Sequence, residues 1–237
     1  SDQAERQERE RTVGERMRLQ LALEESERRE RESEILRDAL EYMQSCDSFV
    51  EGLQVLGKQA VRLFGGSQVC AYRYDEEAAS FFPVDEADGA GEVITFSDCW
   101  AGRTGKPHLS SPNLGSIRCN HSGIEEDEEL MCLPLISEAQ ILGLLTVGPV
   151  PPATLVSGEA RSLRTHLLEY GVMARQFALA LHNVRLRERL HRQATEDSLT
   201  GLANRREFER RLTRELARWR RYHDTFSLLI LDVDHFK

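Results

Sequence analysis

Two apolar runs, Leu130 to Ile136 and Ile141 to Val147, are separated only by Ser137-Glu138-Ala139-Gln140. Runs of this length, joined by so short a polar link, predict a β-hairpin rather than helices. Both runs are apolar at nearly every position, so the strands are expected to be buried on both faces and central in a sheet. Gly148 to Pro152 is expected to end that sheet.

On either side of the hairpin the pattern is mostly helical. Residues 3–45 hold no proline, only Gly14 as glycine, and many Glu and Arg, a composition that propagates helix. Val13, Met17 and Leu21, then Leu36, Leu40 and Met43, recur at helical spacing, whereas Glu24 to Glu34 holds no apolar residue. A helix this charged is marginal alone, so pairing with a copy of itself is expected, against the alternative of a solitary solvated helix. Phe49, Leu53, Leu56, Ala60, Leu63 and Phe64 mark an amphipathic helix stopped by Gly65-Gly66. Val69 to Tyr74 reads as a strand turned by Asp75-Glu76-Glu77. Residues 83–127 are rich in Gly, Pro, Ser and Asp and give few element signals; so long a loop region is usually functional. A further helix is expected from near Ser157 to about Ala194, with a break at Gly171.

Charge narrows the partners. Of the net −9, residues 1–46 carry −4, residues 47–172 carry −10 and residues 173–237 carry +5. The acidic middle argues against non-specific nucleic-acid binding, which needs clustered cations. The basic tail suits a phosphate-bearing substrate and equally a solvated helix face. No apolar run approaches the roughly 20 residues of a membrane span and no signal peptide is visible, so a cytoplasmic setting is expected. The chain opens on Ser1 rather than Met, which suggests an excised piece and leaves room for an upstream membrane anchor. Five cysteines, an odd number, suit thiols or a metal site in a reducing compartment better than a disulfide framework.

The order of helix, strand, long loops, hairpin, proline-rich turn and long exit helix resembles a GAF domain. LMCLPLISEAQILGLLTVG at 130–148 and RQFALALHNVRLRERL at 175–190 carry the resemblance, which spans about residues 46–190. It implies a central antiparallel sheet with helices on one face and a ligand pocket on the other. GAF ligands include cyclic nucleotides, tetrapyrroles, haem and metals, so fold alone does not choose one.

The loop region gathers Asp98-Cys99-Trp100, His108 and Cys119-Asn120-His121, and Cys132 follows in the first hairpin run. Thiolate and imidazole are the usual ligands of zinc, and a structural site wants four of them. Cys119 and His121, two apart, leave the same face of an extended segment. Cys99, Cys119, His121 and Cys132 would make a Cys3His set for zinc or another transition metal, with His108 as spare. Two readings compete: ordinary buried or loop thiols, and a tetrapyrrole thioether at Cys119. Cys46 and Cys70 fall on regular elements as packing residues. DCWAGRTGKPH, CNH and LMCLPL together also resemble a subgroup of GAF domains found ahead of GGDEF domains.

In the exit helix, Val172, Leu179, Leu186 and Leu190 form a 3–4 spaced stripe whose polar members are Gln176, Asn183 and Gln193. Polar residues at such positions lower coiled-coil stability but fix register. Packing of this helix on its own domain explains the first half equally well. Asp197-Ser198-Leu199-Thr200-Gly201-Leu202-Ala203-Asn204-Arg205-Arg206 then resembles the opening D-x-L-T-G-L-x-N-R-R of GGDEF domains. Phe208, Leu212, Leu216 and Trp219 line one face of the next helix, a strand is expected at Phe226 to Leu231, and Asp232 to Lys237 matches the family's D-x-D-x-F-K.

The GGDEF resemblance implies a palm-like domain using Mg2+ and GTP. By position, Asp232 and the Val233 carbonyl are the implied Mg2+ ligands, and the Phe236 backbone and Lys237 the implied GTP contacts. Guanine-binding residues and the GG[D/E]EF loop would lie past Lys237, so no turnover is expected of the 237 residues alone. The expected fold class is α+β: a GAF domain flanked by long coiled-coil-like N- and C-terminal helices, plus the truncated start of a GGDEF domain. The expected divisions are a charged helical segment (1–45), GAF sensor (46–172), signalling helix (173–195) and GGDEF fragment (196–237). Function follows from the resemblance: the sensory and transmission part of a homodimeric diguanylate cyclase, which joins two GTP into cyclic di-GMP. The alternatives are a degenerate GGDEF binding or scaffold protein and a structural GAF dimerisation module.

Overall fold

The computed structural model describes residues 2–64, 68–84, 91–111, 116–121, 128–148, 163–231 and 234. Its elements are α1 (Asp2–Ser45), α2 (Phe49–Leu63), β1 (Val69–Asp75), β2 (Ser80–Pro83), β3 (Ile94–Thr95), a 3-10 turn (Phe96–Asp98), α3 (Trp100–Thr104), β4 (His108–Ser110), β5 (Leu130–Ser137), β6 (Gln140–Val147), α4 (Leu163–Thr195) and α5 (Arg205–Tyr222). They form two compact units, Ser1–Arg185 and Leu186–Lys237.

The first unit is built on a six-stranded sheet in the order β3-β2-β1-β6-β5-β4, antiparallel throughout. The expected hairpin is β5–β6, near its centre. Its two-residue turn puts Glu138 and Ala139 at φ 49° and 62°, the left-handed pair whose twist matches that of the flanking strands. Pro134 lacks a backbone donor, and β4 pairs only with Leu130 to Cys132, so the proline falls where β5 has no neighbour on that side.

Strand alternation divides the interior in two. Ala71, Met131, Leu133, Leu145 and Val147 face a core completed by Phe49, Leu53, Leu56 and Leu63 of α2, and by Ala174, Phe177, Ala178 and Leu181 of α4. The last turns of α1 join this core through Ala39 and Met43, whereas Val13, Met17 and Leu21 are exposed. Helix α2 begins where its sequence says it should. The Ser48 Oγ accepts from the Glu51 N–H at 3.2 Å, and the Glu51 carboxylate accepts from the N–H of Asp47, the residue before the cap, at 2.9 Å. Tyr72, Phe81, Ile94, Cys99, Ala101, Cys119, Leu130, Cys132 and Leu144 form the second core.

Three expectations need correction. Helix α4 is continuous through Gly171: one glycine costs a helix only about 1 kcal/mol, and a Cβ there would stand 2.7 Å from the Pro107 ring. The glycine lets α4 pass the loop before β4; it does not break the helix. Residues 83–127 hold β3, the 3-10 turn, α3 and β4, each of two to five residues, too short to leave a periodic signal. Phe226 to Leu231 forms no strand. An apolar run becomes a strand only against a hydrogen-bonding neighbour, and the described residues give it none. The Gly65-Gly66 stop, the helix start near Ser157 and the Pro149 to Pro152 part of the expected sheet stop lie outside the described residues. No described helix is long and apolar enough to cross a membrane.

Candidate metal centre and the start of the second unit

Cys99, Cys119, His121 and Cys132 come together on the sheet face turned away from α2 and α4. Their ligand atoms all lie within 4.8 Å of one another. They come from three pieces of the chain. Cys99 is the residue between the 3-10 turn and α3, at the N-cap position of the short helix. Cys132 is the third residue of β5, flanked in register by His108 of β4 and Thr146 of β6. Cys119 and His121 ride on residues 116–121, which have no regular structure of their own.

That irregular segment is held by polar contacts that composition does not reveal. The Ser110 Oγ accepts from the Cys119 N–H at 3.2 Å. The Asp98 carbonyl accepts from the Asn120 N–H at 3.0 Å, and its carboxylate from the Asn120 amide at 3.4 Å. The ring Nε2 of His108 stands 2.7 Å from the Ile117 carbonyl. His108 is thus a brace beside the cluster and is not one of the four. Sequence reasoning missed the roles of Ser110 and Asp98; only their contacts with Cys119 and Asn120 distinguish them from other loop residues.

The four donors are close to what a tetrahedral ion wants. With bonds of about 2.0–2.3 Å, ligand atoms of a closed zinc site stand about 3.5–3.8 Å apart. Cys132 Sγ and His121 Nε2 are 3.6 Å apart. The Cys119 sulfur also accepts the Trp100 N–H at 3.4 Å. Cys99 and Cys132 are 0% exposed and Cys119 is 2% exposed, with His121 half-buried. The cluster shares its protons unevenly. Hydrogen bonds from Cys132, then Cys99, hold the Cys119 thiol far below the ordinary thiol range. Hydrogen bonding to Cys119 and Cys99, reinforced by burial, pushes Cys132 well above it. Burial works against an imidazolium at His121, but hydrogen bonds to Cys119 and Cys99 outweigh it and raise the ring to about 9. Cys46 and Cys70 stand apart, Cys46 buried near the end of α1 and Cys70 half-buried in β1.

In the second unit, Asp197, Thr200 and Asn204 each have a local task. One carboxylate oxygen of Asp197 accepts from the Leu199 N–H, the Thr200 N–H and the Thr200 hydroxyl at 2.9–3.2 Å, and these bonds, the Thr200 hydroxyl first, hold its pKa below the usual carboxylate value. Gly201 sits at φ 69°, where a Cβ would be strained. The Asn204 side chain accepts from the Glu207 N–H at 2.9 Å and donates to the Ala194 carbonyl at 2.9 Å, capping α5 and tying it to the end of α4. Glu207 is buried against Arg210 and Arg211 at 2.7–3.0 Å, and those guanidinium groups pull its carboxylate down to about 2. Phe208, Leu216 and Trp219 stay exposed along one face of α5. Asp232, Val233, Phe236 and Lys237 lie outside the described residues.

The comparisons agree with both halves. The Neisseria meningitidis free methionine-R-sulfoxide reductase, solved in complex with its substrate, shares the fold at a TM-score of 0.51 and 16% identity, covering 68% of this chain and 91% of that one. The GAF domain of an Acinetobacter phosphoenolpyruvate-protein phosphotransferase aligns at a TM-score of 0.47 and 14% identity, covering 70% and 96%. Residues 194–237 match the family described as diguanylate cyclase, GGDEF domain. A 51-residue stretch is 43% identical to the Escherichia coli K12 "Probable diguanylate cyclase DgcC", covering 22% of this chain and 14% of that protein. Residues 194–237 are thus similar to the GGDEF domain family, and the first unit shares its fold with the Neisseria reductase.

Proposed function

We propose that this chain is the sensory and transmission part of a diguanylate cyclase, the enzyme class that condenses two GTP into cyclic di-GMP. The GGDEF match at 194–237, directly behind a GAF-type fold, is the observation that carries the reading. On this reading the divisions are 1–45 helical, 46–172 sensor, 173–195 signalling helix and 196–237 catalytic fragment. The Asp232 carboxylate and the Val233 carbonyl are hard oxygen donors suited to Mg2+. The ion would neutralise charge developing on the transferred phosphoryl group. The Phe236 backbone and the Lys237 ammonium would hold GTP phosphates. Two half-sites have to meet, so the acting form is a homodimer whose helices set their geometry. Support comes from Val172, Leu179, Leu186 and Leu190, all exposed on α4 although its other face is buried from Tyr170 to Val184. Cys99, Cys119, His121 and Cys132 give the sensor a transition-metal site. The setting is the cytoplasm, where GTP is present and thiols stay reduced.

The test supplies GTP and Mg2+ to the longest protein that the gene encodes around this chain, with cyclic di-GMP as the readout. Product is expected, and Asp232→Asn should abolish it. No cyclic di-GMP from the folded, dimeric protein would replace the enzyme reading with the scaffold one.

A further inference from the structure

We propose that Cys99, Cys119, His121 and Cys132 close around one Zn2+ as a four-ligand centre, and that this ion takes the place of an organic ligand on the open face of the GAF sheet. The proposal rests on the transition-metal reading above and makes it specific.

The donor set selects the ion. Three thiolates and an imidazole suit Zn2+ in a tetrahedron, and a set of four without carboxylate or carbonyl disfavours Mg2+, Ca2+ and Mn2+. The geometry selects a closed site. Four protein atoms lie within 4.8 Å of one another, and the 3.6 Å between the Cys132 sulfur and the His121 nitrogen is about the edge of a zinc tetrahedron. The three sulfurs belong to residues at most 2% exposed, which leaves only the His121 side for water to approach. A closed, buried site is structural in type, whereas catalytic zinc keeps a position for water.

The place of the cluster argues for the second half. Cys132 sits mid-sheet on β5, and its neighbours in the second core include Tyr72, Phe81, Ile94 and Leu144, all buried. Phe81 packs against Tyr74 and Phe96 with ring centroids 5.0 and 6.4 Å away. A thioether at Cys119 would have to leave from a sulfur already enclosed by Trp100 and the other three ligands. The ion would instead fasten three separate pieces of chain, the start of α3, residues 116–121 and β5, at the point where they meet in the second core.

The test uses the 237-residue chain without a histidine tag. Elemental analysis is expected to find one zinc per chain, released by a mercurial thiol reagent. Cobalt replacement should give the intense visible bands of a tetrahedral thiolate site. Cys119→Ser and Cys132→Ala should lose the bound equivalent, and Cys46→Ser, Cys70→Ser and His108→Ala should keep it. A ligand variant that fails to fold would mimic metal loss, so His121→Cys supplies the second arm: it should keep its zinc and shift the cobalt bands toward those of a four-sulfur site. No metal of any kind overturns both this proposal and the metal reading beneath it. Iron in place of zinc, or a six-coordinate cobalt spectrum, overturns the closed zinc site and leaves that reading standing. Because no readout uses GTP, failure here is distinct from failure of the cyclase reading.

Discussion

Gly14 and Gly171 are both helical glycines, and their surroundings predict opposite responses to the same substitution. Around Gly14 nothing lies within 4 Å of where a Cβ would stand, so Gly14→Ala gains only helix propensity, up to about 1 kcal/mol. At Gly171 the same Cβ would meet Pro107 at 2.7 Å, and a ring fixed in the backbone cannot swing aside. Overpacking typically costs about 1–3 kcal/mol, enough to cancel or exceed the propensity gain. Gly171→Ala should therefore lower the denaturant midpoint while Gly14→Ala leaves it unchanged or raises it. Equal stabilisation by both would mean that α4 does not press on Pro107.

Helix α4 carries two apolar faces with different fates. Tyr170, Ala174, Phe177, Ala178, Leu181 and Val184 are buried in the first unit, whereas Leu179 is 55% exposed and Val172, Leu186 and Leu190 are similarly open. In an isolated chain, replacing Leu179 with a cation should change stability by no more than about 0.5 kcal/mol. In a paired helix it puts like charges opposite one another across the seam. Leu179→Lys is expected to convert a dimer to a monomer in light scattering without loss of helical circular dichroism, and Asn183→Leu to tighten association while loosening its register. A monomer before any substitution would remove the seam from the transmission reading.

How far elements can be read from sequence tracks how far they carry their own signal. Helix α2 announces its cap and its apolar face, and β5–β6 announce their length and turn. The pairing of Cys119 with His121 is legible from their spacing of two, and Cys132 from its place in the hairpin. What joins them to Cys99 is not legible, because the Asp98 to Asn120 bonds cross 22 positions through residues with no periodicity. Strands β2 to β4 escape for the same reason: two to four residues are specified by their neighbours, not by their own pattern. Phe226 to Leu231 shows the converse, a strong strand pattern that remains without regular structure where no neighbouring strand is described.

At the scale of the whole molecule, both apolar cores among the described residues lie in the first of the two compact units, so cooperative unfolding is expected of that unit. Leu53 is fully buried there, and Leu53→Ala should cost it about 2–5 kcal/mol and lower its calorimetric midpoint. An unchanged midpoint would show that Leu53 does not belong to that core. Within the first unit, strand β5 has Cys132 on one side of the sheet, and Met131 and Leu133 on the other, in the core that α4 helps to close. The sheet is thus a partition one backbone thick between a chemical compartment and a mechanical one. Whatever tightens or releases the sulfur at Cys132 tugs on a strand whose next side chain, in either direction, already belongs to the layer beneath the exit helix.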